Sequence, residues 1–214
     1  MILGLKHIGV IGASGLVGQS LLPLLVEAGY VVHAFSRQNI HDCKKSVNNN
    51  IIWRRLLKPI KVNKKIITKW ICLAPIWALP DCLHVFLENG ARHIVAVSST
   101  SRFTKESSKD KAEKELAKKI ADSEHRLINW ADENKINWTI LRPTLIYRLG
   151  YDKNVSMIAR FIRRFSFFPL LGEAKGLRQP VHAQDVAMAC ITALNSAKAL
   201  NSAYNISGGV ILSY

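Results

Sequence analysis

The segment Val10-Ile-Gly12-Ala-Ser-Gly15-Leu-Val-Gly18 limits what this chain can fold into more than any other stretch. It follows an apolar, β-branched run, His7 to Ile11, that reads as a strand buried on both faces. It opens a stretch with helical spacing through Leu21, Leu22, Leu25 and Val26, and Gly29 stands where a left-handed C-terminal cap is wanted. Tyr30 to Phe35 then reads as a second strand. Two strands joined by a crossover helix run parallel, so residues 7–35 make a βαβ unit of about thirty residues.

Three glycines at this spacing, between a strand and a helix, allow a tight turn, a close backbone approach to a pyrophosphate, and close packing of helix on strand. The helix start offers unpaired N–H groups to the phosphates. Gly12, Ser14, Gly15, Leu16, Val17 and Gly18 are therefore candidate contacts for a dinucleotide. The second strand ends at Ser36-Arg37, where proteins that bind NAD usually place an acid for the ribose 2′-hydroxyl. A guanidinium beside a hydroxyl suits a 2′-phosphate instead, which favours NADP over NAD.

Further along, Ile51 to Trp53 reads as a short third strand and Trp70 to Ala74 as a fourth. Pro80 starts a short helix ending near Gly90, and His93 to Val97 is a fifth strand. Ser98 to Lys109 is polar and reads as a loop. A long amphipathic helix follows, with Ala112, Leu116, Ile120, Leu127 and Ala131 near one face and Asp110 and Glu113 spaced as a capping box. Trp138 to Leu141 is a sixth strand, stopped by Pro143. Beyond Tyr147 the alternation weakens into a basic helix from Met157 to Phe165, a short strand from Gln179 to His182, and a helix from Ala183 to Leu194. The pattern is that of an α/β protein, with residues 1–150 as a dinucleotide-binding domain and 151–214 as C-terminal elements packed on it.

Composition agrees with a packed fold: of 214 residues, 49% are hydrophobic and 21% charged. Cys43, Cys72, Cys82 and Cys190 show no metal or disulfide spacing, which points to a reducing, cytoplasmic setting and to no bound metal. The apolar stretch from Ile8 to Val26 could imitate a membrane span, but a glycine at every third position from Gly9 to Gly18 and the interruption at Pro23 fit strand, turn and helix better. The net charge of +15 favours anionic partners, above all a small anionic substrate. From Cys43 to Pro80 there are nine basic residues and no acid, a run that reads as a solvated lysine-rich face or as a nucleic-acid or membrane patch.

Four ordered motifs, VIGASGLVG, VSSTSRF, WTILRPTLIY and QPVHAQDVAMA, span nearly all of the chain and resemble the short-chain dehydrogenase/reductase superfamily, in its extended and atypical branch of NAD-dependent epimerases and dehydratases. The resemblance implies a doubly wound, Rossmann-like parallel sheet with a small C-terminal substrate region; the sequence stops at Tyr214 where relatives usually continue, which reads either as a shortened protein or as an incomplete substrate pocket. It implies that Leu73, Ala74 and Pro75 line the ribose side of the cofactor, that Ser98, Pro143 and Thr144 stand near the nicotinamide, and that Thr100 holds the substrate's reacting oxygen. In such proteins a tyrosine and a lysine four residues later form the acid/base pair. With Glu124 matched to the acid that follows that pair, the two positions hold Leu116 and Ile120. Trp53-Arg54-Arg55 stands where an aspartate usually meets the adenine.

Three readings follow. The first is an NADP-dependent epimerase, dehydratase or reductase-like enzyme of atypical mechanism acting on a small or nucleotide-linked substrate. The second is a non-catalytic NADP-binding sensor or assembly module, which the missing pair favours. The third is a binder of nucleic acid or anionic membranes through the basic run and Arg160, Arg163 and Arg164. The aromatic residues of that run, Trp53, Trp70 and Trp77, are not interleaved through it as a base-stacking surface needs.

Overall fold

The computed structural model describes residues 6–37, 48–56, 67–152, 154–169 and 176–213. Among them, seven strands form one sheet: β1 (Lys6–Ile11), β2 (Tyr30–Ser36), β3 (Ile51–Arg55), β4 (Lys69–Cys72), β5 (His93–Val97), β6 (Asn137–Pro143) and β10 (Ser202–Ile206). Their order is β10-β6-β5-β4-β1-β2-β3, with every neighbouring pair parallel. Two short pairs stand outside it, β7 (Ile146–Tyr147) parallel to β9 (Val181–His182), and β8 (Leu177–Arg178) antiparallel to β11 (Leu212–Ser213).

Alternate residues of each strand point to opposite faces, so a sheet buried on both sides needs two cores. Val95 and Val97 of β5 join the core shared with α1 (Leu16–Glu27) and with the last helix, Ala183–Asn195. Ile94 and Ala96 join the core under α2 (Leu83–Glu88) and under the long helix Lys111–Glu133. The chain is thus a doubly wound, Rossmann-like α/β protein. Strand order reverses at β1, whose neighbours are β2 and β4, and ligands in such sheets bind in the crevice beyond the strand ends at that reversal.

Several local expectations need correction. The loop after β5 contains a helical turn, α3 (Ser101–Thr104), because the Ser99 hydroxyl accepts the Ser101 N–H at 3.1 Å and turns the chain. The next helix, α4 (Lys111–Glu133), is capped by Asp110, which accepts from the Ala112 N–H at 2.8 Å. Glu113 does not complete a capping box; it accepts from Ser108 Oγ at 2.7 Å and pairs with Lys105 at 3.0 Å. The buried face of α4 is Ala117, Ile120, Ser123, Glu124, Leu127 and Ala131, while Ala112 is exposed. Eight residues at about 100° each carry Ala112 about 80° away from Ile120 around the helix. Strand β10 has no apolar run because it is an edge strand, half exposed along its length. Of the nine basic residues between Cys43 and Pro80, only Arg54, Arg55 and Lys69 lie within the described residues; Cys43 and the six remaining lysines lie outside them.

Two further helices complete the chain, α5 (Val155–Phe165) and α6 (Ala183–Asn195). Asp152 fixes the start of α5: its carboxylate accepts from the N–H groups of Asn154 (2.9 Å) and Ser156 (3.0 Å) and from Ser156 Oγ (2.6 Å). Burial pushes this carboxyl up, but those bonds outweigh it and hold the group at about 2. Because the folded value is depressed below the ordinary 3.8, the contribution of Asp152 is complete above that value and is lost as pH falls towards about 2. Amide-exchange protection of Ser156, corrected for intrinsic rates, is expected to collapse over that window, and in Asp152→Ala already at neutral pH. Equal protection at both ends of the window counts against the latch.

Candidate functional site

The crevice at the strand reversal is built around the turn between β1 and α1. Gly12 has φ +79°, and a Cβ there would lie 2.6 Å from the Ala74 backbone nitrogen. At Gly18 a Cβ would lie 2.1 Å from the Ala13 carbonyl oxygen, so only glycine lets α1 sit this close to the turn. Gly15 is the N-cap of α1 and makes no side-chain cap; the first turn carries no acid. The first intrahelical bond is given by Gln19 N–H to Gly15 O at 3.0 Å, which leaves the amides of Leu16, Val17 and Gly18 without an intrahelical acceptor. These groups fit a diphosphate: donors on one side and, among the described residues, no carboxylate opposing it and no side chain in the way.

Beside the turn lies a cavity of ≈190 Å³. Gly12, Ser14, Gly15, Ser36 and Arg37 line it, as do Leu73, Ala74 and Pro75, and Arg37 is its only charged lining residue among the described residues. Ser14 Oγ and Ser36 Oγ lie 3.0 Å apart, tying the glycine turn to the end of β2. Leu16, Val17 and Gly18 do not line it; they form the first turn of α1 behind it. Three lining residues, Ile11, Phe35 and Leu56, were not among the candidates read from the sequence; Ile11 ends β1, Phe35 is next to last in β2, and Leu56 lies just past β3. Trp53, Arg54 and Arg55 all belong to β3, and Arg54 Nε donates to His33 Nδ1 at 3.2 Å, so the position just past the strand falls to Leu56. Its only signal was an apolar residue directly after a strand.

A second and larger cleft, ≈1040 Å³, opens beyond β5 and β6. Ser98, Thr100, Pro143 and Thr144 all line it. Thr100 directs both its N–H (3.1 Å) and its hydroxyl (3.3 Å) at the Pro143 carbonyl, joining the two strand ends. The hydroxyl bond is long, so the hydroxyl can turn to another acceptor at little cost. Thr144 Oγ1 donates to the Gln179 carbonyl, and Gln179 Nε2 donates to Gly208 O at 2.7 Å, which draws the C-terminal segments to the cleft. Lys105, Arg178, Met157 and Ile158 also line it and were not singled out from sequence, because loop and edge residues carry no periodic signal. Tyr147 is not among the lining residues; it packs edge-on against His182, ring centres 5.3 Å apart.

Behind the cleft sits Glu124, fully buried. Its carboxylate accepts from Ser98 Oγ at 2.5 Å, from Arg142 Nε at 3.0 and 3.1 Å, from Arg142 Nη2 at 2.7 Å, and from Arg102. Burial pushes this carboxyl up, yet the bonds from Arg142, Ser98 and Arg102 hold it below the ordinary range. One acid thereby fixes the end of β5, the end of β6 and α3, the three segments that form the cleft floor. On the same helix, Ile120 is buried in the core and Leu116 packs against it. A tyrosine and a lysine are absent from these positions, and the cleft has no phenol–ammonium pair there.

Fold and glycine turn together define a Rossmann-type α/β protein with the geometry of a dinucleotide site. The chain belongs to the NAD dependent epimerase/dehydratase family, whose model matches residues 81–207. No curated protein sequence matches it. Among solved structures it is similar to a UDP-glucose 4-epimerase from Thermotoga maritima (18% identity, TM-score 0.71, covering 97% of this chain and 78% of that one). It is also similar to a UDP-N-acetylglucosamine 4-epimerase from Bacillus cereus (21%, 0.68, 97% and 77%). A third is a dTDP-glucose 4,6-dehydratase from Bacillus anthracis in complex with NAD (15%, 0.72, 97% and 77%). At these identities the likeness establishes the fold, and the family match establishes a nicotinamide-cofactor protein. No helix among the described residues is long and apolar enough to cross a membrane.

Proposed function

We propose that the chain binds NADP in preference to NAD and transfers hydride to or from a small anionic substrate held in the larger cleft, without a Tyr/Lys pair. The observation that carries this reading is the pair of cavities beyond the strand ends, one lined by the glycine turn, Ser36 and Arg37, the other by Thr100 and Thr144. The turn amides and Arg37 hold phosphate, and among the described residues no carboxylate lines the smaller cavity to oppose a 2′-phosphate. When bound, the nicotinamide supplies or accepts the hydride. Thr100 donates its hydroxyl proton in a hydrogen bond to the substrate's reacting oxygen, releasing Pro143 O. Lys105, Arg178 and Glu113 line the same cleft, Glu113 pairing with Lys105, and the one positive charge left over among these described residues favours a carboxylate or phosphate on the substrate.

Two measurements test it. Arg37→Ala is expected to weaken NADPH about tenfold or more, from loss of a charge-assisted bond, and to leave NADH nearly unchanged. Equal loss for both cofactors removes the NADP preference. Thr100→Ala is expected to lower turnover about 100-fold, as for removal of one oxyanion donor, with NADPH affinity unchanged. A second reading, a cofactor-binding module without catalysis, is favoured by the buried Ile120 at the lysine position. It predicts NADPH binding with no transfer of label from deuterated NADPH to any carbonyl tried.

A further inference from the structure

Helix α5 buries only Ser156 among its eleven residues. Met157, Ile162 and Phe165 are 57%, 44% and 50% exposed, and Phe167 just beyond is 60% exposed. Instead of entering a core, Phe161 packs on Phe165 (4.7 Å), Phe167 (5.8 Å) and Phe168 (5.7 Å) at the surface. Arg160, Arg163 and Arg164 fall with Ser156 within about 100° of the helix circumference, and the apolar residues occupy the rest. Arg164 lies over the Phe165 ring, 5.6 Å from its centre. From Asn154 to Pro169 there is no acid.

An exposed apolar patch of this kind marks an interaction surface. Its form decides what covers it. A wide apolar arc with aromatic residues, bordered by arginines on one helix, is the pattern of a segment lying in a lipid interface: rings enter the acyl boundary and guanidinium groups stay at headgroup phosphates. Charge complementarity fixes the lipid type, since the segment is purely basic on a chain of net charge +15. The helix is also preformed, because Asp152 holds its first turn, so docking pays no folding cost. Met157 and Ile158 line the larger cleft as well, so docking would set the cleft beside the bilayer.

We propose that α5 with Phe167 and Phe168 docks this protein on an anionic phospholipid surface. The test is co-sedimentation of the full chain with phosphatidylcholine vesicles with and without phosphatidylglycerol, across a salt series. Binding is expected only with phosphatidylglycerol. Arg163→Gln/Arg164→Gln should lower the partition coefficient about thirtyfold, roughly fivefold per arginine, whereas the same charge loss in Lys114→Gln/Lys118→Gln on the exposed side of α4 should change it less than about twofold. Phe165→Ser/Phe167→Ser should remove the binding that survives high salt. All six positions are exposed, so unchanged melting temperatures are expected for the three variants. Equal losses from the arginine and lysine pairs would mean general attraction of a basic protein and would overturn the proposal. So would a dimer in solution that the phenylalanine variant dissolves while vesicles fail to bind, since a second copy then covers the face.

Discussion

Gly15→Asp is expected to fold as well as the parent chain and to lose at least about 100-fold in NADPH affinity. Gly15 is the N-cap of α1, its backbone is extended (φ −73°, ψ 174°), and it supplies no side-chain cap. Aspartate is among the best N-caps and, against glycine, gains a few tenths of a kcal/mol, to which the helix dipole adds. Its Cβ would meet Gly12 O at 3.3 Å, a contact relieved by a small shift. The carboxylate, however, takes the donors meant for phosphate. Two unit charges about 4 Å apart at an effective dielectric near 20 repel by about 4 kcal/mol, well beyond a 100-fold effect. Thermal unfolding alongside NADPH fluorescence titration separates the two consequences. Retained affinity would mean that the cofactor does not use this turn, and loss of fold would mean that the cap geometry is misread.

Glu124→Leu is expected to destabilise the protein by about 3–5 kcal/mol, the cost of leaving buried charge unpaired. The variant strands Arg142 and Arg102, whose side chains are only 14% and 20% exposed, and removes the acceptor of Ser98. Glu124→Leu/Arg142→Met should recover much of that loss, because an apolar pair in place of a buried ion pair is often neutral. Denaturant unfolding of both variants measures it; strictly additive losses would mean that the residues do not act as one unit. In the parent chain the depressed folded value of Glu124 gives a contribution present above the unfolded carboxyl value, about 4.3, and lost as pH falls through the folded one.

The lining of the smaller cavity was legible in the sequence because it depends on backbone. Gly12 and Gly18 are required by contacts a few residues or one strand away, and the motif records them. Ser36 and Arg37 follow from where β2 ends, which its largely apolar run, interrupted only by His33, announces. Leu56 was missed because β3 continues through two arginines, one satisfied by His33, and such a strand end has no apolar signature. In the larger cleft, Thr100, Pro143 and Thr144 came from motif resemblance, while Lys105 and Arg178 are brought there by a loop and an edge pair.

By itself, the sequence determined the parallel α/β class, the glycine turn, the absent Tyr/Lys pair and the missing acid after β2, since each is a matter of residue type and short spacing. Only the tertiary structure decided that Glu124 gathers Ser98, Arg102 and Arg142, that β10 closes the sheet beside β6, and that the apolar face of α5 is left uncovered. These are relations between segments far apart in the chain. Buried charge finds its partners, and an amphipathic helix finds or lacks a cover, only when all the elements have packed.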